Sequence, residues 1–290
     1  MNPVRVLVTR PARDAQHWAQ QLQAEGFAAE AFPLIEIVPL TAAANLLAFE
    51  QAWQTLPAYS ACMFVSSPAV LHFFKRNLPV MPVLQAQTAI NKIAKNNLLK
   101  LPDTLRFMAP GPGTVATLVA LGIDPALIDA PALDAQQFDS EALWQVVGQR
   151  DWQGRRVLLV RGQSADAAPG STSSSGRDWL ARQLQAAGAT IDFLSVYQRR
   201  APVFSAAAWQ RALATSTDGT VWLFSSSEAV ANLATMPGLA SHDWRGARAV
   251  VTHPRIADSV RALGWGVVVE SRPALNDVSA ALGSIESAHP

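Results

Sequence analysis

From Arg5 the chain reads RVLVTRPARDAQHWAQQLQAEGFAAEAFPLIEIVP: an apolar run, a polar turn, apolar residues at helical spacing, a glycine and a second extended run. The succession begins again at Arg156 with RVLLVRG and, after an insert, GRDWLARQLQAAGATIDFLSVYQ. The runs Val6 to Val8 and Val157 to Val160 do not alternate with polar residues, which is the pattern of strands covered on both faces. Trp18 and Leu22 in the first copy, and Trp179, Leu180 and Leu184 in the second, form the stripe that a helix lays on a sheet. Each copy predicts a βαβ unit whose helix stops at Gly26 or Gly188.

The pairing continues with strands at Ala61 to Val65 and Val221 to Phe224, which run into FVSS and LFSS, serines suited to helix N-caps. RFMAPGPGTVATLVALGI from Arg106 aligns with RAVVTHPRIADSVRALGW from Arg248, setting Gly111 against His253, Pro112 against Pro254 and Gly122 against Gly264. Each half then holds at least four strands with helices on both faces, an open parallel α/β sheet and not a barrel. Asp139 or Ser140 should cap a further helix with an acidic first turn. Two stretches break the symmetry. Residues 163–176, QSADAAPGSTSSSG, read as a mobile surface loop, and the tail SIESAHP after Gly283 has nothing to bury. The residues alone divide the chain near Asp151.

Composition narrows the function. With 290 residues, half of them apolar and 16% charged, the chain can bury one large core or two ordinary ones, and two domains are the better expectation. The net charge of +1 offers no bulk field for nucleic acid, so an anion site must come from local arginines. Cys62 is the single cysteine and sits in a strand-like run, which excludes an internal disulfide. His17, His72, His242, His253 and His289 are scattered, without metal-ligand spacing. No leader-like apolar segment and no window of about 18 apolar residues is present, so a soluble cytoplasmic protein is expected.

GPGT at 111–114 lacks the third glycine and the Lys-Ser or Lys-Thr of a phosphate loop, and reads better as a turn exposing the amides of a helix that begins near Thr114. There is no GxSxG elbow, and Ser66 and Ser225 suit caps and donors. What recurs is donors at strand ends: Thr9 and Arg10, Arg161 and Gly162, Ser66 and Ser67, Ser225 to Ser227, Thr252 and His253. Open α/β sheets bind ligands outside the carboxyl ends of their strands. Two facing rims of amides, hydroxyls and guanidiniums suit a ligand with many carboxylates, held by an enzyme or by a non-catalytic two-lobed binding protein.

In their order and spacing, VLVTRP, LQAEGFAAEAFPLIEIVP, FVSS, QFDSEALW, VLLVRG with GRDWLARQLQAAGA, VYQRR at 196–200, LFSS and THPRIA resemble the uroporphyrinogen-III synthases, a HemD-like family, in their proteobacterial form. The resemblance covers about residues 4–270. Pro68 stands where relatives often carry a polar residue after the serine, and the serine-rich insert separates RG and GR elements that are usually almost adjacent. The resemblance implies two flavodoxin-like open parallel-sheet domains, one from 1–37 with 198–290 and one from 38–197, joined by a two-stranded linker near 33–40 and 194–200.

The implied activity is cyclisation of hydroxymethylbilane with inversion of ring D to uroporphyrinogen III and water, without metal or organic cofactor. Such a reaction relies on positioning and preset dipoles, and the substrate's carboxylates would account for the rims. By the resemblance Tyr197 maps to a cleft tyrosine that helps the hydroxyl depart. Thr9, Arg10, Ser66, Ser67, Gly113, Thr114, Arg161, Ser225, Ser226, Thr252 and His253 are the candidate substrate contacts, although His253 also suits a structural turn. The implied state is a monomer that meets no nucleic acid or membrane and only transiently contacts the preceding pathway enzyme. A tetrapyrrole- or anion-binding protein and a degenerate paralogue are the alternatives.

Overall fold

Val6, Leu7 and Val8 are wholly buried, yet Leu7 belongs to one apolar cluster and its two neighbours to another. Such a division requires a strand with helices packed on both faces, and the computed structural model, which describes residues 3–75, 101, 104–164 and 175–287, has that architecture. In chain order the elements are β1 (Arg5–Val8), α1 (Ala12–Ala24), β2 (Ala28–Ala31), β3 (Glu36–Pro39), α2 (Ala43–Gln54), β4 (Ala61–Phe64), α3 (Ser67–Lys75), β5 (Arg106–Met108), α4 (Pro112–Ala120), β6 (Ile128–Asp129) and α5 (Ser140–Val147). Then come β7 (Arg156–Ser164), α6 (Ser175–Ala186), β8 (Thr190–Arg200), α7 (Ala206–Ala214), β9 (Val221–Phe224), α8 (Ser227–Thr235), β10 (Arg248–Val251), α9 (Pro254–Ala262), β11 (Val267–Glu270) and α10 (Leu275–Ser287).

The chain forms two compact units, Met1–Ile37 with Arg200–Pro290, and Val38–Arg199. In the first, the parallel sheet runs β11-β10-β9-β1-β2. Numbered along that unit, this is the 2-1-3-4-5 order of flavodoxin-like sheets. In the second, the order is β3-β8-β7-β4-β5-β6. Matching β7 to β1, as the sequence repeat demands, makes β8-β7-β4-β5-β6 the same sheet, entered at a different strand. The cut near Asp151 fails for that reason: β4 pairs with β7 from Ala61↔Val157 to Phe64↔Val160, so it would split one sheet.

In the first unit, Val6, Val8, Val221 and Leu223 pack against Ala15, Ala19 and Leu22 of α1 and Val278 and Leu282 of α10. On the opposite face Trp222 and Phe224 meet α8 and α9 through Leu233, Ile256 and Val260. In the second unit Met63, Val157 and Leu159 cluster with Leu143, Val147, Leu180 and Leu184 of α5 and α6. Phe64 contacts Phe73, Phe74 and Phe107. The repeat extends to helix ends. Gly26 and Gly188 have φ of 93° and 94°, and the residue after each donates its N–H to a carbonyl of the last turn, Phe27 to Leu22 and Ala189 to Leu184. A residue with a Cβ would be strained at either position.

Three local expectations are corrected. α4 begins at Pro112, ahead of Thr114, because proline at the first helical position needs no N–H partner. α10 runs past Gly283 to Ser287 and buries Ile285 against α1 and β1, so the tail does contribute to the core. Gln163 and Ser164, expected in the loop, extend β7 beside Gln198 and Arg199. Ser175 and Gly176, also expected in the loop, open α6, and the remaining 165–174 lie outside the described residues.

Candidate active site

Five of the expected site residues come together in the second unit. β4 ends at Phe64, and two residues on, the Ser66 hydroxyl accepts the Ala69 N–H at 3.3 Å, capping α3. Pro68 falls in the first turn of α3, where a missing N–H costs nothing. The neighbouring strand β5 leads through Gly111 into α4, whose Gly113 lies so close that an added Cβ would stand 3.5 Å from the Ser67 hydroxyl. Two helix N-termini therefore abut, with Ser66, Ser67, Gly113 and the buried Thr114 around them. The positive ends of their aligned dipoles favour an anion or a developing oxyanion.

The fifth residue is Tyr197. Its hydroxyl lies 3.0 Å from the Ser66 hydroxyl, and the residue is only 2% exposed, so the phenol sits behind Ser66. The half-buried His72 of α3 holds its ring 5.5 Å from the tyrosine ring. Burial, with the charge of Lys75 adding to it, holds the His72 imidazole below its usual range, so it is neutral at pH 7. Gly162 lies under the same ring. Sequence reasoning passed over His72, for which no local signal exists. Gly162 had one, since a glycine inside an apolar extended run marks a bulge or a close approach.

Arg161 and Gly162 were expected at a strand end but lie within β7, because a bulge after Arg161 lets that strand continue along β8 to Ser164. The Arg161 guanidinium is engaged, 3.3 Å from Asp178 and stacked 4.7 Å from the Phe193 ring.

In the first unit the expected residues other than Arg10 divide into two kinds. Thr9 is 1% exposed and donates both its hydroxyl and its N–H to Leu223 O, and the Thr252 N–H bonds Phe224 O at 3.1 Å, so both threonines extend the ladder around β9. Ser226 caps α8 by accepting the Glu228 N–H, and His253 caps α9 through Nδ1, which accepts the Arg255 N–H at 3.1 Å. β9 and β10 are adjacent and in register, so these helix starts, with the half-buried Ser225 before the first, repeat the arrangement of the second unit. Arg10 differs from both groups. Its guanidinium stacks 4.4 Å from the Trp18 ring, while its buried Nε has no hydrogen-bond partner among the described residues. Burial pulls its pKa down to about 10 against the opposing charge of Asp14, and it stays a cation at neutral pH.

Among the described residues no helix is long and apolar enough to cross a membrane, and no group of three or more His, Cys, Asp or Glu could hold a metal ion. The sequence model of the family described as uroporphyrinogen-III synthase HemD matches residues 16–279. The chain belongs to that family. Its role is accordingly in tetrapyrrole biosynthesis, with a small tetrapyrrole as substrate. The fold agrees: a mutant uroporphyrinogen III synthase of the extreme thermophile Thermus thermophilus is 15% identical over 98% of both chains, with a TM-score of 0.53. The uroporphyrinogen-III synthetase of Helicobacter pylori 26695 is 12% identical over 99% of this chain and all of its own, with a TM-score of 0.52.

Proposed function

We propose that the chain catalyses cyclisation of hydroxymethylbilane to uroporphyrinogen III and water, with inversion of ring D. The observation that carries the reading is the Ser66–Tyr197 hydroxyl pair, set where two helix N-termini meet in a member of this family. If Tyr197 donates to Ser66, the Ser66 hydrogen is free to point outward, because the Ser66 oxygen already accepts from Tyr197 and from the Ala69 N–H. Ser66 would then donate to the hydroxymethyl oxygen as the carbon–oxygen bond breaks. Tyr197 acts through it, holding the geometry and limiting the charge that builds on Ser66.

The electron-rich pyrrole stabilises the methylene cation left behind, so modest acid assistance suffices. Attack by the substituted carbon of the last ring on that cation gives a spiro centre. The bond from this carbon to its original methylene bridge then breaks, and the methylene cation so released is taken up by the ring's unsubstituted α carbon, which inverts the ring and closes the macrocycle. The proton lent to the departing hydroxyl is balanced by the hydrogen that the unsubstituted α carbon loses when the ring regains aromaticity. Arg10, Ser225, Ser226 and His253 on the first unit, and Ser67, Gly113 and Thr114 on the second, are the groups proposed to bind substrate carboxylates. The same reading has the protein act as a cytoplasmic monomer that takes its unstable substrate from a transient partner.

The test is the isomer formed. Purified protein mixed with freshly prepared hydroxymethylbilane should give isomer III, read as the oxidised porphyrin by chromatography. Isomer I alone, the spontaneous product, together with saturable binding, would identify a non-catalytic binding protein instead.

A further inference from the structure

The ladder between β7 and β8 pairs Arg161 with Ser195 and then Gly162 with Tyr197, leaving Val196 unmatched. An extra residue in a strand changes which face the following side chains occupy, and bulges of this kind re-aim side chains. Here the re-aimed side chain is Tyr197, which reaches the Ser66 hydroxyl at 3.0 Å. The ring lies flat against Gly162: a Cβ built there would stand 2.2 Å from Cε2, 2.3 Å from Cζ and 2.8 Å from Cδ2 of Tyr197. No side chain fits at 162 unless the ring moves. A buried ring already in contact with His72 has little room to do so.

Building on the reading of Tyr197 given above, we propose that Gly162 is a positioning residue for the reaction: with the bulge at Val196, its missing side chain aims the Tyr197 phenol at Ser66. The residue itself contributes no chemistry. It sets where the phenol stands.

The protein has two tyrosines, so selectively ring-labelled protein gives two sets of tyrosine signals by NMR, and Tyr197→Phe assigns one of them by its loss. Gly162→Ala should shift the Tyr197 signals while leaving those of Tyr59 in place. Formation of isomer III should slow by about tenfold, and by no more than Tyr197→Phe slows it, with the loss in kcat more than in KM. In a Tyr197→Phe background the same glycine change should alter the rate by less than about twofold, because the hydroxyl it positions is already gone. Unmoved Tyr197 signals, or equal rate losses in both backgrounds, would overturn the proposal. Should Gly162→Ala alone fail to fold, adding Tyr197→Leu relieves the clash: recovered melting supports the close packing, and unrecovered melting refutes it. A parent that makes no isomer III would defeat the catalytic reading alone, since the ring signals test the placement without turnover.

Discussion

Replacing Tyr197 by phenylalanine removes one oxygen and leaves the ring that fills the space over Gly162. The cost in stability follows from the bond lost. Ser66 keeps its contact with the Ala69 N–H, so no buried group is stranded, and one hydrogen bond of ordinary net value is forfeited, about 0.5 to 1.5 kcal/mol. The cost in rate should be larger. A hydroxyl that polarises the proton donor acts mainly in the transition state, and a loss of about tenfold to a hundredfold corresponds to roughly 1.4 to 2.8 kcal/mol in the barrier. Ser66→Ala should lower the rate at least as much and in addition melt earlier, by about 1 kcal/mol, because the cap of α3 is lost with it. If the hydroxyls act as one unit, the double variant turns over no more slowly than Ser66→Ala alone. Single-turnover formation of isomer III, with melting followed in parallel, gives every number. A Tyr197→Phe protein that folds and reacts at the parent rate would show that the phenol only packs, and would leave the helix amides to handle the leaving oxygen.

Asp129, 4% exposed, accepts paired hydrogen bonds from Arg106 and Arg150. Burial pushes its carboxyl up, but the bonds and charges of Arg150 and Arg106 outweigh this and hold it below the usual carboxylate range. Its stabilisation is therefore present above the unfolded value of about 3.9 and is lost as pH falls through the lower folded value. Asp129→Asn should cost about 2 kcal/mol at neutral pH, less than a fully buried pair because both arginines are about a third exposed, and should flatten the acid limb of the melting profile; an unchanged limb would refute this. Cys62 is wholly buried, and burial pushes its thiol well up, so a disulfide reagent at neutral pH should label it only at the rate of unfolding. Rapid labelling of the native protein would contradict that burial. Arg10→Ala should weaken product binding by roughly 1.5 to 3 kcal/mol in titration calorimetry, since its Nε has no internal partner, whereas Arg161→Ala, which breaks the links to Asp178 and Phe193, should show first in melting. Affinity unchanged in the Arg10 variant would remove it from the site.

What could be read from the sequence was local. Apolar runs located the strands, and the glycines that stop α1 and α6 are left-handed because the chain must reverse there. Gly111 and His253 both precede a proline that opens a helix, as their alignment implied. The serines after β4 and β9 cap helices because a short hydroxyl side chain reaches the first free amides. What was hidden depends on partners far along the chain. Nothing near Tyr197 announces that its hydroxyl meets Ser66, 131 residues away. The partner of a strand-end donor was hidden in the same way: Thr9 donates its hydroxyl to Leu223 O, a pairing visible only once β1 lies beside β9.

The repeat itself shows how one fold came to hold two different ends. Aligning Arg5 with Arg156 sets Arg10 against Arg161 and Pro11 against Gly162. The two arginines have kept a common role, each lying over an aromatic ring, Trp18 or Phe193. The next position diverges. Proline has no N–H to continue a ladder, so β1 stops and Pro11 serves as the N-cap of α1, which leaves Arg10 at the strand end with an unpartnered Nε. Glycine keeps its N–H and lacks a side chain, so β7 runs on beside β8 and a phenol can lie on its backbone. Continuing the alignment along β2 and β8 sets Ile35, a buried core residue, against Tyr197. The strand-and-hydroxyl element is therefore written twice because each sheet needs its helix starts, while a proline in one copy and a glycine in the other decide which ends in an arginine with an unpartnered Nε and which in a tyrosine–serine pair.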